Sequence, residues 1–199
     1  MSKRLDDMPL PDDGPALEGL WIAQIARGDR GAFERLYGAY QRPLFRYFLH
    51  FVHMVEAAEE LTDDVLVEVW KNAARFHGRS KPSVWVFGIA YHKAMDALRR
   101  RRPPVVDLHA VENAPGDERL APEAAALHES VRNDVALALA TLSAEHRAVL
   151  VLTFGHGYGY AEIAQIVGCP VNTVKTRMFY AKKRLKETLE RRGVRADVS

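Results

Sequence analysis

The sequence predicts an all-α protein made of two small helical domains joined by a flexible acidic linker. Apolar residues recur at intervals of three and four on both sides of the linker, and no segment alternates with a period of two for long. Residues 103–129 contain four prolines and are net negative, which prevents a continuous helix there. We therefore expect a disordered head over 1–15, a first helical block over 16–102, the linker over 103–129, a second helical block over 130–192 and a tail over 193–199.

Composition and charge narrow the class of protein. With 48% hydrophobic and 27% charged residues, the chain of 199 residues has the composition of a soluble globular protein. A single cysteine excludes an internal disulfide framework, and no apolar stretch is long enough to span a bilayer or to form a signal-peptide core. We expect a cytoplasmic protein without membrane insertion. Basic runs at 99–102 and 182–184 indicate a polyanion that is contacted at two places.

The first block is predicted to contain four helices. The first begins near Leu17, and Gly28 and Asp29 separate it from the second. Pro43 lies inside the second pattern and is expected to kink or divide that helix. The third covers roughly 55–75, and the fourth runs from Ser83 to the arginine run.

The second block contains a predicted helix-turn-helix over residues 162–185, with its turn at 168–170. On the second helix of this motif, an apolar stripe from Val174 to Leu189 would face the core. This second helix would then be the recognition helix in a major groove. Phe179 lies among the lysines of the outward face, where a thymine methyl group would be a suitable contact. The alternative is an ordinary helical hairpin with a solvated lysine-rich side. The outward residues are Asn172, Lys175, Thr176, Phe179, Lys182, Lys183 and Lys186.

Two further surfaces appear in the first block. On the fourth helix, Trp85 and Ile89 lie opposite the apolar stripe, beside basic residues, which suits stacking on single-stranded nucleic acid. Alternatively, Trp85 packs against the first or the third helix. On the third helix, carboxylates from Glu56 to Glu68 recur without a basic partner before Lys71, which suits a basic protein surface and favours a docking face over a catalytic one. An ordinary solvated face is the default alternative.

No catalytic, metal or cofactor site is predicted. The histidines at 77, 92 and 156 and Cys169 lack metal-ligand spacing, and neither a phosphate-binding glycine loop nor a nucleophile arrangement occurs. Cys169 is expected to pack in the turn, with a redox switch as the alternative. An enzyme is therefore not expected.

The chain resembles bacterial RNA polymerase sigma factors of the extracytoplasmic-function (ECF) group, which keep sigma regions 2 and 4. The resemblance covers about residues 17 to 190. In region 2 it rests on QIARGDRGAFERLYGAY, AEELTDDVLVEVW and SVWVFGIAYHKAMDALRR, and in region 4 on LSAEHRAVLVLTF and GYAEIAQIVGCPVNTVKTRMFYAKKRL.

The resemblance implies roles for residues at matching positions. Those that would bind the β′ clamp of core polymerase are Glu60, Leu61, Asp63, Asp64 and Glu68. Those that would melt the −10 element and capture a flipped base are Arg79, Ser80, Lys81, Trp85, Ile89, His92, Lys93, Arg99 and Arg100. Those that would contact the −35 element are Asn172, Thr173, Lys175, Thr176, Arg177, Phe179, Tyr180 and Lys183, with Thr173 and Arg177 on phosphates.

It also implies partners: core RNA polymerase through its β′ clamp and β flap, promoter DNA, and a cognate anti-sigma factor. The linker would thread towards the RNA exit path. The chain departs from the family pattern at Gly159, which replaces a helix-capping serine, at Tyr180, at Asp63-Asp64 and in the word Pro-Ser-Val-Trp at 82–85. Two alternatives remain at this point: a sigma mimic that binds an anti-sigma protein, and a free-standing helix-turn-helix regulator.

Overall fold

The structure, a computed structural model, describes residues 14–52, 54–100 and 133–193. These residues contain helices and no strand, in agreement with the predicted all-α class. The predicted linker lies outside the described residues, as do the tail beyond Gly193 and the head up to residue 13. Residues 14 and 15, which we assigned to the disordered head, instead begin the first helix.

The first block consists of four helices: α1 (Gly14–Ile25), α2 (Arg30–Val52), α3 (Val55–Asn72) and α4 (Pro82–Arg100). Gly28 takes a positive φ of 86° between α1 and α2, and Asp29 caps α2 by accepting a hydrogen bond from the Ala32 amide at 3.0 Å. A short 3₁₀ turn, Ala73–Arg75, follows α3. The predicted number and order of these helices are confirmed.

Pro43 does not divide α2, which continues to Val52. Proline removes one backbone hydrogen bond and crowds the preceding turn. Here Tyr40, Leu44 and Tyr47 are all buried on either side of it, so packing holds both halves of the helix in place.

The second block contains α5 (residues 133–140), α6 (Ala144–Leu150), α7 (Tyr160–Val167) and α8 (Val171–Arg191). Ser143 caps α6 by accepting a hydrogen bond from the His146 amide at 3.3 Å. After α6 the chain forms a π-helical turn, Val151–Gly155, and then a loop that leads to α7.

The two blocks pack against each other, mainly through α4 and α7, and their buried residues form one continuous core. We call the surface where they meet the seam. At its centre the ring of Phe87 in α4 lies 4.6 Å from the ring of His156 and 5.4 Å from that of Tyr158. The flexible linker predicted from the sequence would let the two blocks take different relative positions, with weak contacts between them. The shared core differs from that expectation.

Candidate polymerase and nucleic-acid interfaces

The carboxylates of α3 form an acidic surface, defined by Glu56, Glu59, Glu60, Asp63, Asp64 and Glu68. All except Glu68 are exposed, because the opposite side of the helix carries Ala58, Val65, Leu66 and Val69 into the core. Leu61 is half-buried at the edge of that core. The surface therefore presents several charges to a partner without burying an isolated carboxylate.

Lys93 of α4 reaches this acidic surface. Its ammonium lies 3.1 Å from Glu68 Oε2 and 3.4 Å from Asp64 Oδ2, so the strip, which has no basic residue of its own before Lys71, is paired from a neighbouring helix. Partial burial lowers the pKa of Lys93, but hydrogen bonds and charges from Glu68 and Asp64 outweigh it and leave the pKa above its ordinary value. A separation of 29 residues between Asp64 and Lys93 hides this pairing from the sequence.

Trp85 is half-buried and does not project freely into solvent. Its ring lies 5.2 Å from that of Phe76, which follows the 3₁₀ turn, and both rings border the core. Trp85 and Ile89 nevertheless line an open pocket of about 430 Å³, together with His92, Lys93 and residues of α7. The indole of Trp85 therefore packs against Phe76 on one side and lines the pocket on the other.

The basic residues around α4 differ in their surroundings. Arg79, His92 and Arg100 are exposed, Ser80 is partly buried, and Arg99 pairs with Asp96. Lys81 forms an ion pair of 2.8 Å with Glu162 at the start of α7. The hydrogen bond and charge of Glu162 raise the pKa of Lys81, and the hydrogen bond from Lys81 lowers the pKa of Glu162.

The helix-turn-helix prediction is confirmed in its geometry. Gly168 ends α7 in the left-handed conformation, with φ 68° and ψ 37°, and α8 begins three residues later. Although Gly159 offers no capping side chain, its amide donates a hydrogen bond of 2.9 Å to Glu162 Oε2. Val174, Met178 and Ala181 are buried as predicted, whereas Leu185 and Leu189 are only partly buried.

The outward face of α8 is exposed as predicted. Phe179 is 65% exposed and Tyr180 54% exposed, and their rings meet edge to face at 5.4 Å. The Thr176 hydroxyl is occupied by a hydrogen bond to the Asn172 carbonyl at 3.0 Å. Exposed along the same helix are Asn172, Lys175, Thr176, Lys182, Lys183 and Lys186.

The two residues predicted to contact phosphates are less exposed than the rest of the outward face. Thr173 and Arg177 are both half-buried. Arg177 is hydrogen-bonded to the hydroxyl of Tyr91 in α4, and its Nη1 lies 3.9 Å from Cys169 Sγ. Arg177 therefore faces the first block in this arrangement, while Phe179 and Lys175 face outward.

Sequence analysis missed the residues that join the blocks, above all Arg147, His156 and Tyr158. Arg147 is 7% exposed, and its Nη1 donates to the His50 carbonyl at 2.9 Å. Burial lowers the pKa of Arg147 and of His156, in the latter case to about 4. The sequence shows only that the cation of Arg147 directly precedes the apolar run from 148 to 152.

Within the described parts of the chain, no group of three or more acidic, histidine or cysteine side chains could hold a metal ion. None of the helices described is long and apolar enough to cross a membrane.

A helix-turn-helix with a basic outward face, joined to a second helical block, is the arrangement of a DNA-binding protein. Family comparison makes this specific: the Sigma-70 region 2 family matches residues 36–103, and the Sigma-70, region 4 family matches residues 132–185. The chain belongs to the sigma-70 family of RNA polymerase sigma factors, in the ECF group. Its function is promoter-directed initiation of transcription, with core RNA polymerase and promoter DNA as partners.

Two relatives agree with this assignment, and two solved structures share the fold. The chain is 30% identical to the RNA polymerase sigma-H factor of Pseudomonas aeruginosa over 177 residues, which covers 85% of this chain and 92% of the relative. It is also 30% identical to the ECF RNA polymerase sigma factor SigL of Mycobacterium tuberculosis, covering 87% of this chain and 97% of that one. In fold it is similar to a chain of the complex of CnrH with the cytosolic domain of CnrY, with a TM-score of 0.67, 24% identity and coverage of 87% and 97%. A second similar fold, with a TM-score of 0.61, 22% identity and coverage of 79% and 96%, comes from the complex of the sigma factor RpoE with the anti-sigma factor NepR from Bartonella quintana.

Proposed function

We propose that this ECF sigma factor contacts promoter DNA through two separate surfaces. The first block opens the −10 element, and the second block places the polymerase on the −35 element. The supporting observation is the exposed pair Phe179 and Tyr180 on the basic outward face of α8. A recognition helix in the major groove combines hydrogen-bonding and apolar contacts of this kind. Lys175, Thr176 and Tyr180 would contact bases beside Phe179, and Asn172, Thr173, Arg177 and Lys183 would position the helix.

The part of the acidic surface from Glu60 to Glu68 is proposed to bind core polymerase at the β′ clamp. Glu60, Leu61, Asp63, Asp64 and Glu68 combine exposed charge with one half-buried apolar side chain, which suits a basic protein partner and would repel DNA. A free-standing helix-turn-helix regulator would have no use for this surface. The second block would contact the β flap.

The −10 element is proposed to bind along α4 and the segment before it. Trp85 and Ile89 line a pocket beside Lys93, and an aromatic wall with adjacent cations suits an unstacked base. Arg79, Ser80, Lys81, His92, Arg99 and Arg100 would contact the backbone of the separated strand. Lys81 and Lys93 would first have to leave their present carboxylate partners.

We further propose that the protein has no catalysis of its own and acts in the cytoplasm, where polymerase and promoter DNA are found. A cognate anti-sigma factor is proposed because two proteins of similar fold are described in complexes, one with a cytosolic domain of CnrY and one with an anti-sigma factor. A sigma mimic is disfavoured, because the basic face of α8 is retained.

The proposal is tested by mixing purified protein with bacterial core polymerase and assaying both complex formation and run-off transcripts from a cognate promoter. We expect a stable complex and transcripts that require both components, whereas the protein alone should bind duplex promoter poorly. If the complex fails to form and no fragment of a genomic pool yields transcripts, the proposed function is wrong.

A further inference from the structure

Phe154 is an apolar side chain on the protein surface to which the proposed function gives no role. It is 67% exposed, the largest exposed fraction among the large apolar side chains in the part of the chain that the structure describes. An exposed ring contributes little to the free energy of folding, because little of its apolar surface leaves water. Folding therefore does not require a phenyl group at this position.

The backbone around Phe154 is anchored, so the fold sets the direction of the ring. Phe154 lies in the π-helical turn Val151–Gly155, whose first two residues are buried. The Thr153 hydroxyl donates a hydrogen bond of 2.8 Å to the Val149 carbonyl, and the Gly157 amide donates one of 3.1 Å to the Thr153 carbonyl. These bonds fix the turn on both sides of Phe154 and leave its ring in solvent.

The ring of Phe154 contacts a cation of α8. The Lys182 ammonium lies 5.2 Å from the centroid of the ring, within the range of a cation–π contact. The quadrupole of the ring attracts the ammonium but carries no net charge that could neutralise it. Among the described residues Lys182 forms no ion pair, whereas Lys81 and Lys186 are each paired with a carboxylate. Lys182 is therefore held in place with its charge available to a partner.

The position of Lys182 on α8 indicates the kind of partner. Lys182 is exposed and follows Phe179 by three residues, so the two side chains are neighbours on the outward face. It lies about 16 Å along the helix from Val171. The N-terminal residues of a recognition helix contact base edges, and most other contacts with DNA are made to phosphate oxygens. A phosphate of the promoter is therefore the expected partner of the Lys182 ammonium.

We propose that Phe154, although outside the helix-turn-helix, is a positioning residue for promoter binding, because its ring holds the Lys182 ammonium ready for a phosphate at the −35 element. This inference rests on the proposed function, since it assumes that the outward face of α8 binds that element. A free lysine side chain loses rotational freedom when it binds, and one already held over a ring loses less. The ring thereby strengthens a contact with DNA that it does not make itself.

NMR of the free protein tests the contact between the two side chains. Ring currents move protons that lie over an aromatic face to lower frequency, so the side-chain methylene protons of Lys182 should be displaced in this direction. Phe154→Leu should abolish the displacement, and Phe154→Tyr, which keeps the ring, should preserve it. The methylene protons of Lys186, paired with Glu190 in the same helix, are the control and should be unchanged in both variants. Undisplaced Lys182 protons in the wild-type protein would overturn the proposal.

Promoter binding tests the consequence of the contact. The probe is a duplex promoter recovered by transcription from genomic fragments, bound by the complex of the protein with core polymerase. Phe154→Leu should weaken binding by about two- to fivefold, the range expected for an exposed cation–π contact, and Phe154→Tyr should restore it. Lys182→Ala should weaken binding and lower the slope of its salt dependence by about 0.9, the value for one phosphate. In the Lys182→Ala protein, Phe154→Leu should have no further effect.

Two results of these comparisons would overturn the positioning role. A loss caused by Phe154→Leu that persists in the Lys182→Ala protein would mean that the ring contacts DNA or polymerase directly. Weaker association of the Phe154→Leu protein with core polymerase in the absence of DNA would assign the ring to the polymerase interface. If the wild-type complex itself bound no promoter, the proposed function would fail as well, whereas a failure of the positioning role alone leaves wild-type promoter binding intact.

Discussion

Phe179 is the residue on which the proposed −35 contact depends most. It lies 65% exposed on the same face as Lys175, Lys182 and Lys183. A phenyl ring there has little contact with its own protein beyond Tyr180, whereas a thymine methyl group in the major groove would cover it.

We expect Phe179→Ala to cost about 1 to 3 kcal/mol at particular base pairs of the −35 element and little elsewhere. The measurement is competition binding of the polymerase complex to promoters substituted one base pair at a time. Lys186→Ala is the matched control on the same helix and should weaken all sequences evenly and lower the salt dependence. Uniform loss with Phe179→Ala would contradict a base contact.

Trp85 has a more divided environment than the sequence suggested, with Phe76 on one side and a pocket on the other. If the pocket side stacks on a base, Trp85→Ala should spare closed-complex formation and impair strand opening, since stacking is worth roughly 1 to 3 kcal/mol per base. Permanganate reactivity of thymines reports the opening. An equal loss of both steps would indicate that Trp85 acts through core packing.

At the scale of the element, the two faces of α3 differ. One face is buried in the core, and the other carries the acidic surface. We expect Glu60→Lys to slow association with core polymerase by about tenfold or more at low salt, and much less at high salt, where the charges are screened. Glu56→Lys makes the same charge change near the start of the helix and serves as the control. Equal effects of the two variants would argue against a defined docking site.

The π-helical turn Val151–Gly155 leads directly to His156, whose pKa is lowered to about 4 by burial and by the charges of His50 and Arg46. Tyr47 and Tyr158, which also face it, have raised pKa values and stay neutral. In the unfolded chain the histidine pKa is about 6.5. The unfolded state therefore gains a proton first as the pH falls.

It follows that folding stability should decrease by about 3 kcal/mol between pH 7 and pH 4 through His156, and that this histidine makes stability nearly independent of pH above pH 7. Urea denaturation across that range measures the change. His156→Gln should remove this part of the pH dependence. An unchanged pH profile in that variant would show that other groups are responsible.

At the scale of the whole molecule, the sequence predicted local features well and the relation between the blocks poorly. The order of the helices, the turn at Gly168 and the buried residues Val174, Met178 and Ala181 follow from spacing along the chain. The spacing of apolar residues identifies one buried face of a helix, but it does not show whether a neighbouring domain covers a second face. The apolar stripe predicted for α4 begins with Val84, Phe87 and Tyr91. Val86 and Ala90 lie outside it, yet both are fully buried in the common core.

The polar contacts show the same limit. Lys81 and Lys93 looked like free cations because their carboxylate partners are distant in sequence. Arg147 is a charged residue beside an apolar run, and it is buried where it links the two blocks.

Mapping of transcript starts tests the central claim, that one chain directs polymerase through two separate DNA contacts. Core polymerase with this protein should be given a pool of genomic fragments, and the 5′ ends of the transcripts sequenced. We predict starts that share two upstream elements at a fixed spacing, with Phe179→Ala changing the preference only in the upstream one. Transcripts without a shared upstream element, or none beyond those of core polymerase alone, would contradict the account.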